Sequence, residues 1–294
     1  MTSTFLQEGM EPTPGGRFTM GSEEFYPEEG PMRQVSVKPF LIDRFAVSNR
    51  DFEAFVQDTG YLTTAEIPLD PAGAPGMPEE YFAAGSLVFR MTKGPVPLDD
   101  FNNWWEFVPG ANWRNPEGPE STLEGREDHP VVHVSYLDAV AFAKWAGKSL
   151  PNEKEWEFVA KAGSSSDFPW GDTLSQRGKI MANTWMGEFP WRHNRVKDGI
   201  FTVPIDAFEA SRFGTFNMIG NVWEWTSERF HGPHDPAKSC CVPTRPLRDT
   251  DRLVLKGGSF LCSASYCERY RPAARSPQEV RASSNHIGFR CVVR

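Results

Sequence analysis

The stretch at 256–276 reads KGGSFLCSASYCERYRPAARS and holds the most chemically loaded residues of the chain. A Gly257-Gly258-Ser259 turn precedes Cys262 and Cys267, and Arg269, Arg271 and Arg275 follow within a few residues. The step between the cysteines is too long for a redox Cys-x-x-Cys, and neither a second cysteine pair nor a His-x3-5-His follows to complete a zinc site. Two thiolates can hold a soft, low-coordinate ion, and Cu(I) is what soft sulfur ligands select. A local disulfide or a pair of buried structural thiols satisfies the same spacing. Spacing alone leaves these readings open.

Around that stretch lies a chain rich in turns. Its 294 residues include 25 glycines and 25 prolines, well above the roughly 12% that the two contribute to an average protein. Irregular structure with aromatic side chains filling the gaps is therefore expected. A formal charge of −8 without a long basic run argues against nucleic acid or an anionic membrane as the main partner. No apolar run approaches the roughly 18 residues that span a bilayer. The start, MTSTFLQEGMEP, has neither a basic nor an apolar region of a secretory signal, so a cytoplasmic location is expected. Five cysteines are odd in number and too few for a disulfide scaffold.

Toward the N-terminus, GGRFTMG at 15–21 reads as turn, strand, turn, and QVSVKPF at 34–40 as a half-buried strand with Val35 and Val37 on one face. Three helices announce themselves by their caps. Ser48 with Asp51 opens the first, whose stripe is Phe52, Phe55 and Val56 and whose stop is Gly60. Ser135 with Asp138 opens the second, with Val140, Ala141 and Trp145 on its apolar side and Gly147 beyond it. Asn152 with Glu155 opens the third, with Trp156 and Val159 inward. HPVVHVS at 129–135 is expected to be a buried strand with His129 and His133 on one face in a hydrogen-bonded structural role. Residues 63–121 are the least regular, yet hold Trp104, Trp105 and Trp113. That much tryptophan indicates order, as a satellite aromatic cluster or as a binding wall.

The motifs GGRFTMGS, HPVVHVS, WAGKSLPNEKEWEF, FPWG, GNVWEWT, GGSFLCSASYCERYRPAARS and the closing GFRC occur in one order over nearly the full length. Together they resemble the formylglycine-generating enzymes, the sulfatase-modifying factors. The resemblance implies an α+β, C-type-lectin-like fold with little regular secondary structure, spanning 1–294 as a single domain. It implies a copper-dependent oxidase that uses O2 and a thiol reductant to convert a cysteine of an unfolded client polypeptide, in a Cys-x-Pro-x-Arg motif as in sulfatases, to Cα-formylglycine. Cys262 and Cys267 would hold Cu(I), with Ser259, Tyr266 and Trp223 shaping the pocket where O2 meets it. Trp113 and Pro116 match positions in the peptide-binding cleft, and Glu66 matches a carboxylate that faces the client's arginine, a pairing suited to two guanidinium hydrogen bonds. Arg269, Arg271 and Arg275 would either lower the thiolate pKa values or form buried ion pairs.

Two structural Ca2+ sites are implied in the same way. Asn183, the Thr184 carbonyl, Asp198 and the Ile200 carbonyl would form one, although an extra residue separates Asn183 from Asp198. Asn217, the carbonyls of Gly220 and Val222, and Glu224 would form the other. Oxygen-only donor sets suit a hard cation that pins loops together. The chain also departs from the family. Ser263 stands where a histidine usually follows the first cysteine, and a serine cannot act as a base near neutral pH. The PQEVRASSNH loop is shorter than its counterpart, and His286 near its end could alter which peptides are accepted. Cys291 lacks its usual partner, whose place is Ala160, and is expected to be a free buried thiol, as suits a reducing compartment. Cys240 and Cys241 match nothing in the pattern. A monomer is expected. The competing readings are the same oxidation of a different cysteine peptide and a catalytically silent peptide-binding homologue. The iron-dependent sulfoxide synthases of this fold would need a three-histidine site that the sequence does not offer.

Overall fold

Among the described residues, short strands and three short α-helices surround a core dominated by aromatic rings. The computed structural model describes residues 9–294 except 74, 75, 77, 195–198, 200 and 235–244. Strands β1 (Met10–Thr13) and β4 (Phe40–Asp43) pair antiparallel, and β15 (Val292–Val293) completes the sheet on β4, so the first and last strands of the described residues share one sheet. Strands β2 (Gly16–Met20) and β3 (Arg33–Val37) form a hairpin with a long loop at 21–32. Strands β5 (Gly85–Phe89) and β6 (Trp105–Pro109) form a second hairpin inside the stretch expected to be irregular. Two-residue strands β7 (Ser175–Gln176) with β8 (Lys179–Ile180), and β9 (Gly187–Glu188) with β10 (Arg192–His193), close two small turns. The main sheet runs β13 (Arg275–Glu279), β12 (Arg252–Lys256), β11 (Trp223–Arg229), β14 (Ile287–Gly288), with the last pair parallel.

The helices form where the caps predict. Helix α1 (Asn49–Thr59) starts at a capping box of Ser48 and Asp51 and stops at Gly60, whose φ of 66° suits the left-handed cap that glycine favours. Helix α2 (Tyr136–Trp145) and helix α3 (Glu153–Lys161) start at the boxes Ser135/Asp138 and Asn152/Glu155. Helices of this length are marginal alone in water, so packing must stabilise them. Phe52 of α1 supplies much of it, edge-on to Phe55 at 5.4 Å and Trp113 at 5.2 Å and stacked on Phe142 of α2 at 5.9 Å. Trp156 and Val159 of α3 are fully buried, as expected.

Two expectations fail here. The buried face of α2 is Asp138, Ala139, Phe142 and Ala143, whereas Val140 and Trp145 are exposed. Trp145 instead lies along Phe55 and donates its indole N–H to Asp58 at 2.7 Å. Residues 129–135 are not a strand, because His133 takes φ 59° and breaks the extended run. The two histidines therefore separate: His133 Nε2 contacts the Pro116 carbonyl at 2.8 Å, and His129 Nδ1 contacts Thr202 Oγ1 at 2.9 Å.

Candidate functional site

The loop after β12 is built to present sulfur. Gly257 and Gly258 take φ 94° and 74°, and a side chain at either would run into backbone at 2.7 Å or closer, so only glycine permits this reversal. Two backbone bonds tie the loop to the segment before β11: Gly220 N–H to the Gly257 carbonyl at 2.9 Å and Phe260 N–H to the Asn221 carbonyl at 3.0 Å. Phe260 and Leu261 enter a satellite cluster with Phe89, Trp104, Trp185 and Phe189, while Cys262 joins the main core. The cysteine loop thus bridges the two apolar clusters, and the Trp185 N–H donates to the Cys262 carbonyl at 2.9 Å.

Within this loop the two sulfurs lie 3.7 Å apart, with Cys262 buried and Cys267 half-buried. Neither forms a disulfide, so the disulfide reading of the spacing is set aside. The Ser259 N–H points at the Cys262 sulfur at 3.4 Å, and Ser259 Oγ accepts from the Leu261 N–H at 3.2 Å. The Tyr266 and Cys267 N–H groups both return to the Ser263 carbonyl, at 3.0 and 2.7 Å. Burial, and then the bond to Cys267, push the Cys262 thiol well above its ordinary pKa. The Cys262 S–H, aided by Arg269 against the opposing cost of burial, brings Cys267 down to about 7. In the metal-free pair Cys267 is therefore the thiol that ionises first, and near neutral pH it is only partly thiolate.

Tyr266, 39% exposed, is the aromatic rim beside the pair. It stacks on Phe189 at 4.6 Å and meets Trp104 edge-on at 5.3 Å. Neither partner is recognisable as a rim support in the sequence, because both come from distant loops. Ser263 Oγ bonds Ser265 Oγ at 2.9 Å and accepts from its N–H at 3.3 Å, so the residue in the usual histidine position closes a turn. Trp223, at the head of β11, is buried and donates its N–H to the His286 carbonyl at 2.9 Å. The His286 ring lies 4.8 Å from Trp105 and its Nδ1 contacts Ser284 at 2.8 Å, while burial holds its pKa down to about 3.

The other sequence-derived residues are spread over the molecule. Trp113 has no exposed surface and packs on Phe52, which corrects its expected place on a cleft wall: it is core. Pro116 is also buried, beside a cavity of about 20 Å³ lined by Asn49, Arg126 and Phe260 among others, room for about one water and not for a peptide. Glu66 is half-buried, and its Oε2 accepts from the Thr63 N–H at 2.9 Å and hydroxyl at 2.8 Å as a local cap. Of the three arginines, Arg271 pairs through both nitrogens with buried Glu29, and Arg275 pairs with buried Glu153, so both are structural ion pairs. Arg269 alone acts on Cys267.

Two facing thiols suit one soft ion, and among the described residues no group of three or more His, Cys, Asp and Glu side chains assembles elsewhere. Asp198 and Ile200 of the first calcium set, like Cys240 and Cys241, lie outside the described residues. Asn183 Nδ2 donates to the Phe201 carbonyl at 2.8 Å and to Asn221 Oδ1 at 3.1 Å. In the second set, buried Asn217 Oδ1 has no hydrogen-bond partner, as suits an oxygen ligand for a hard cation. Glu224 fits less well. Its carboxylate already accepts from Trp156 Nε1 and from Arg290 Nε and Nη2, each at 2.7 Å, which takes three of its roughly four lone-pair sites. Cys291 is a free buried thiol, as expected.

Residues 3–294 match the sulfatase-modifying factor enzyme 1-like domain family. The chain is 48% identical to the formylglycine-generating enzyme of Mycobacterium tuberculosis, over 95% of each chain. It is also 35% identical to the inactive C-alpha-formylglycine-generating enzyme 2 of Bos taurus, over 95% of this chain and 85% of the relative. Among solved structures it resembles PvdO from Pseudomonas aeruginosa with a TM-score of 0.65 at 24% identity, over 97% of this chain and 94% of that one, a likeness that concerns the fold.

Proposed function

The chain belongs to the sulfatase-modifying factor enzyme family, and from that premise we propose that it is a copper- and O2-dependent oxidase converting a client cysteine to Cα-formylglycine. The observation that carries the reading is the pair of free thiols 3.7 Å apart, one buried and one half-buried. Cys262 and Cys267 would hold Cu(I), which supplies the redox capacity for O2 that no side chain has. The balance is one client thiol, one O2 and two reductant thiols giving the aldehyde, hydrogen sulfide, water and a disulfide. The client is assigned as an unfolded segment carrying Cys-x-Pro-x-Arg; a buried and a half-buried sulfur are reached more readily by an extended chain than by a folded surface.

The chain's own residues divide the work. The Ser259 N–H and the glycine turn fix Cys262, which burial keeps from bulk oxidants and solvent. Cys267 stands on the accessible side, where the client's sulfur approaches. Tyr266, braced by Phe189 and Trp104, borders that approach. Glu66, with its Oε2 anchored by Thr63, is assigned the client's arginine. Asn217 and the carbonyls of Gly220 and Val222 are assigned to a structural Ca2+ that pins the segment supporting the cysteine loop, with Glu224, already committed to Trp156 and Arg290, offering it only its one remaining lone-pair site, and Asn183 and Thr184 to a second.

The test is aerobic incubation of copper-loaded protein, a thiol reductant and a short Cys-x-Pro-x-Arg peptide, read by mass spectrometry and aldehyde capture. Copper-dependent aldehyde is the expected result. An untouched peptide with tightly bound Cu(I) would shift the client to a different cysteine sequence, and no Cu(I) binding would refute the oxidase.

A further inference from the structure

The loop of the β2–β3 hairpin folds back over the residues that immediately follow Cys267. Its own bonds make it a compact unit: Ser22 N–H to the Glu29 carbonyl, Glu29 N–H to the Tyr26 carbonyl at 2.9 Å, and Gly30 N–H to the Pro27 carbonyl. Three of the four residues after the cysteine are held by it. The Glu268 N–H donates to the Tyr26 hydroxyl at 3.1 Å. Arg269 pairs with Glu28, and its guanidinium lies over the Tyr26 ring at 3.9 Å. Arg271 pairs twice with Glu29, at 2.7 and 2.8 Å, and lies 3.5 Å from the Phe25 ring. Farther on, Arg275 donates to the Glu28 carbonyl at 3.1 Å.

The 263–271 segment has no regular secondary structure, so neither a helix nor a sheet ladder sets the position of Cys267. Cys262 is fixed by the glycine turn and by burial, but Cys267 is half-buried and its local backbone bond reaches only back to Ser263. A sulfur pair that binds one ion needs both members fixed. Besides its packing against the main core, the anchor available to Cys267 is the hairpin loop, with Glu28 lying 241 positions before Arg269.

We propose that the loop at 21–32 is a clamp that fixes Cys267 opposite Cys262, with Tyr26, Glu28 and Glu29 as positioning residues. The proposal rests on the copper reading above and adds a part to it. Glu29 is fully buried, and its loss would strand the Arg271 charge and threaten the fold. The informative variants are therefore Glu28→Ala, at a partly exposed pair, and Tyr26→Phe, which removes one hydroxyl.

Two measurements decide the matter. The first is hydrogen–deuterium exchange of the 263–272 segment in metal-free protein, which needs no copper. The second is Cu(I) affinity by anaerobic competition with a chromophoric chelator, together with the Cu(I)–thiolate ultraviolet absorption. Glu28→Ala should accelerate exchange at Tyr266 and Cys267 and weaken Cu(I) about tenfold or more, as loss of an orienting partner commonly does, while Glu28→Asp recovers most of both. A remote control, Glu209→Ala at the exposed Lys179 pair, should change neither. Unchanged exchange in both Glu28→Ala and Tyr26→Phe would overturn the clamp, as would faster exchange with unaltered Cu(I) affinity and absorption. If the native protein bound no Cu(I), the oxidase reading would fall and with it the copper-positioning role, whatever the exchange showed.

Discussion

Replacing Glu224 with Gln separates two roles that the same carboxylate has been given. Glu224 and Arg290 are both essentially without exposure, and the pair bridges β11 to the C-terminal segment while Trp156 adds α3 to it. Glutamine keeps the volume but removes the charge, and its amide turns a donor toward the Arg290 donors. Breaking a buried ion pair by neutralising one partner costs about 3–5 kcal/mol. Arg290 also donates to the carbonyls of Asp43, Arg44 and Phe216, which retain part of its compensation and place the cost near the lower end. A chain of this size should then lose roughly 6 °C in Tm, given about 2 °C per kcal/mol. The assay is thermal unfolding by circular dichroism with and without excess EDTA. The ion-pair account requires the penalty to persist in EDTA. Equal melting of Glu224→Gln and native protein in EDTA, with a difference only in Ca2+, would refute it and make Glu224 a calcium ligand first.

Chelating Ca2+ from native protein should lower Tm while leaving the Cu(I)–thiolate absorption intact, and an unchanged Tm would count against structural calcium at Asn217. Burial holds the pKa of His133 to about 4 and that of His234, beside Arg275, to about 3. Both are neutral in the fold and take up protons on unfolding below about 6.5, so stability present above that pH is lost as pH falls. At pH 5 the loss should be about 1–2 kcal/mol apiece, seen as a Tm drop between pH 7 and 5 that His234→Asn reduces; a flat Tm would contradict it. Glu66→Gln should weaken Cys-x-Pro-x-Arg peptides by about 1–3 kcal/mol and spare peptides without the arginine, measured as KM; equal weakening of both would remove the arginine role.

What the sequence discloses follows the range of the interactions involved. Helix caps are local, so Ser48/Asp51, Ser135/Asp138 and Asn152/Glu155 could be placed from spacing alone. The glycine turn and the cysteine pair are local too. The 63–121 stretch conceals the β5–β6 hairpin because its two short strands are joined across a long Pro- and Gly-bearing connection. At His133 a single left-handed residue defeats an apparently continuous apolar strand. Face assignment in α2 failed because the helix is apolar nearly all round, and tertiary packing chose Phe142 over Val140 and Trp145. The least legible features are the ion pairs of Arg269 and Arg271 with Glu28 and Glu29, separated by 241 and 242 positions. Those arginines could equally have served the thiolates, and only the fold divides them.

The most direct test of the central claim is anaerobic titration of Cu(I) into the native protein and into Cys262→Ser and Cys267→Ser, followed by exposure to peptide and air. The account predicts one Cu(I) per native chain with thiolate absorption, no tight binding in either variant, and aldehyde formed only by the native copper-loaded protein. Tight Cu(I) binding or near-native turnover in either serine variant would contradict it.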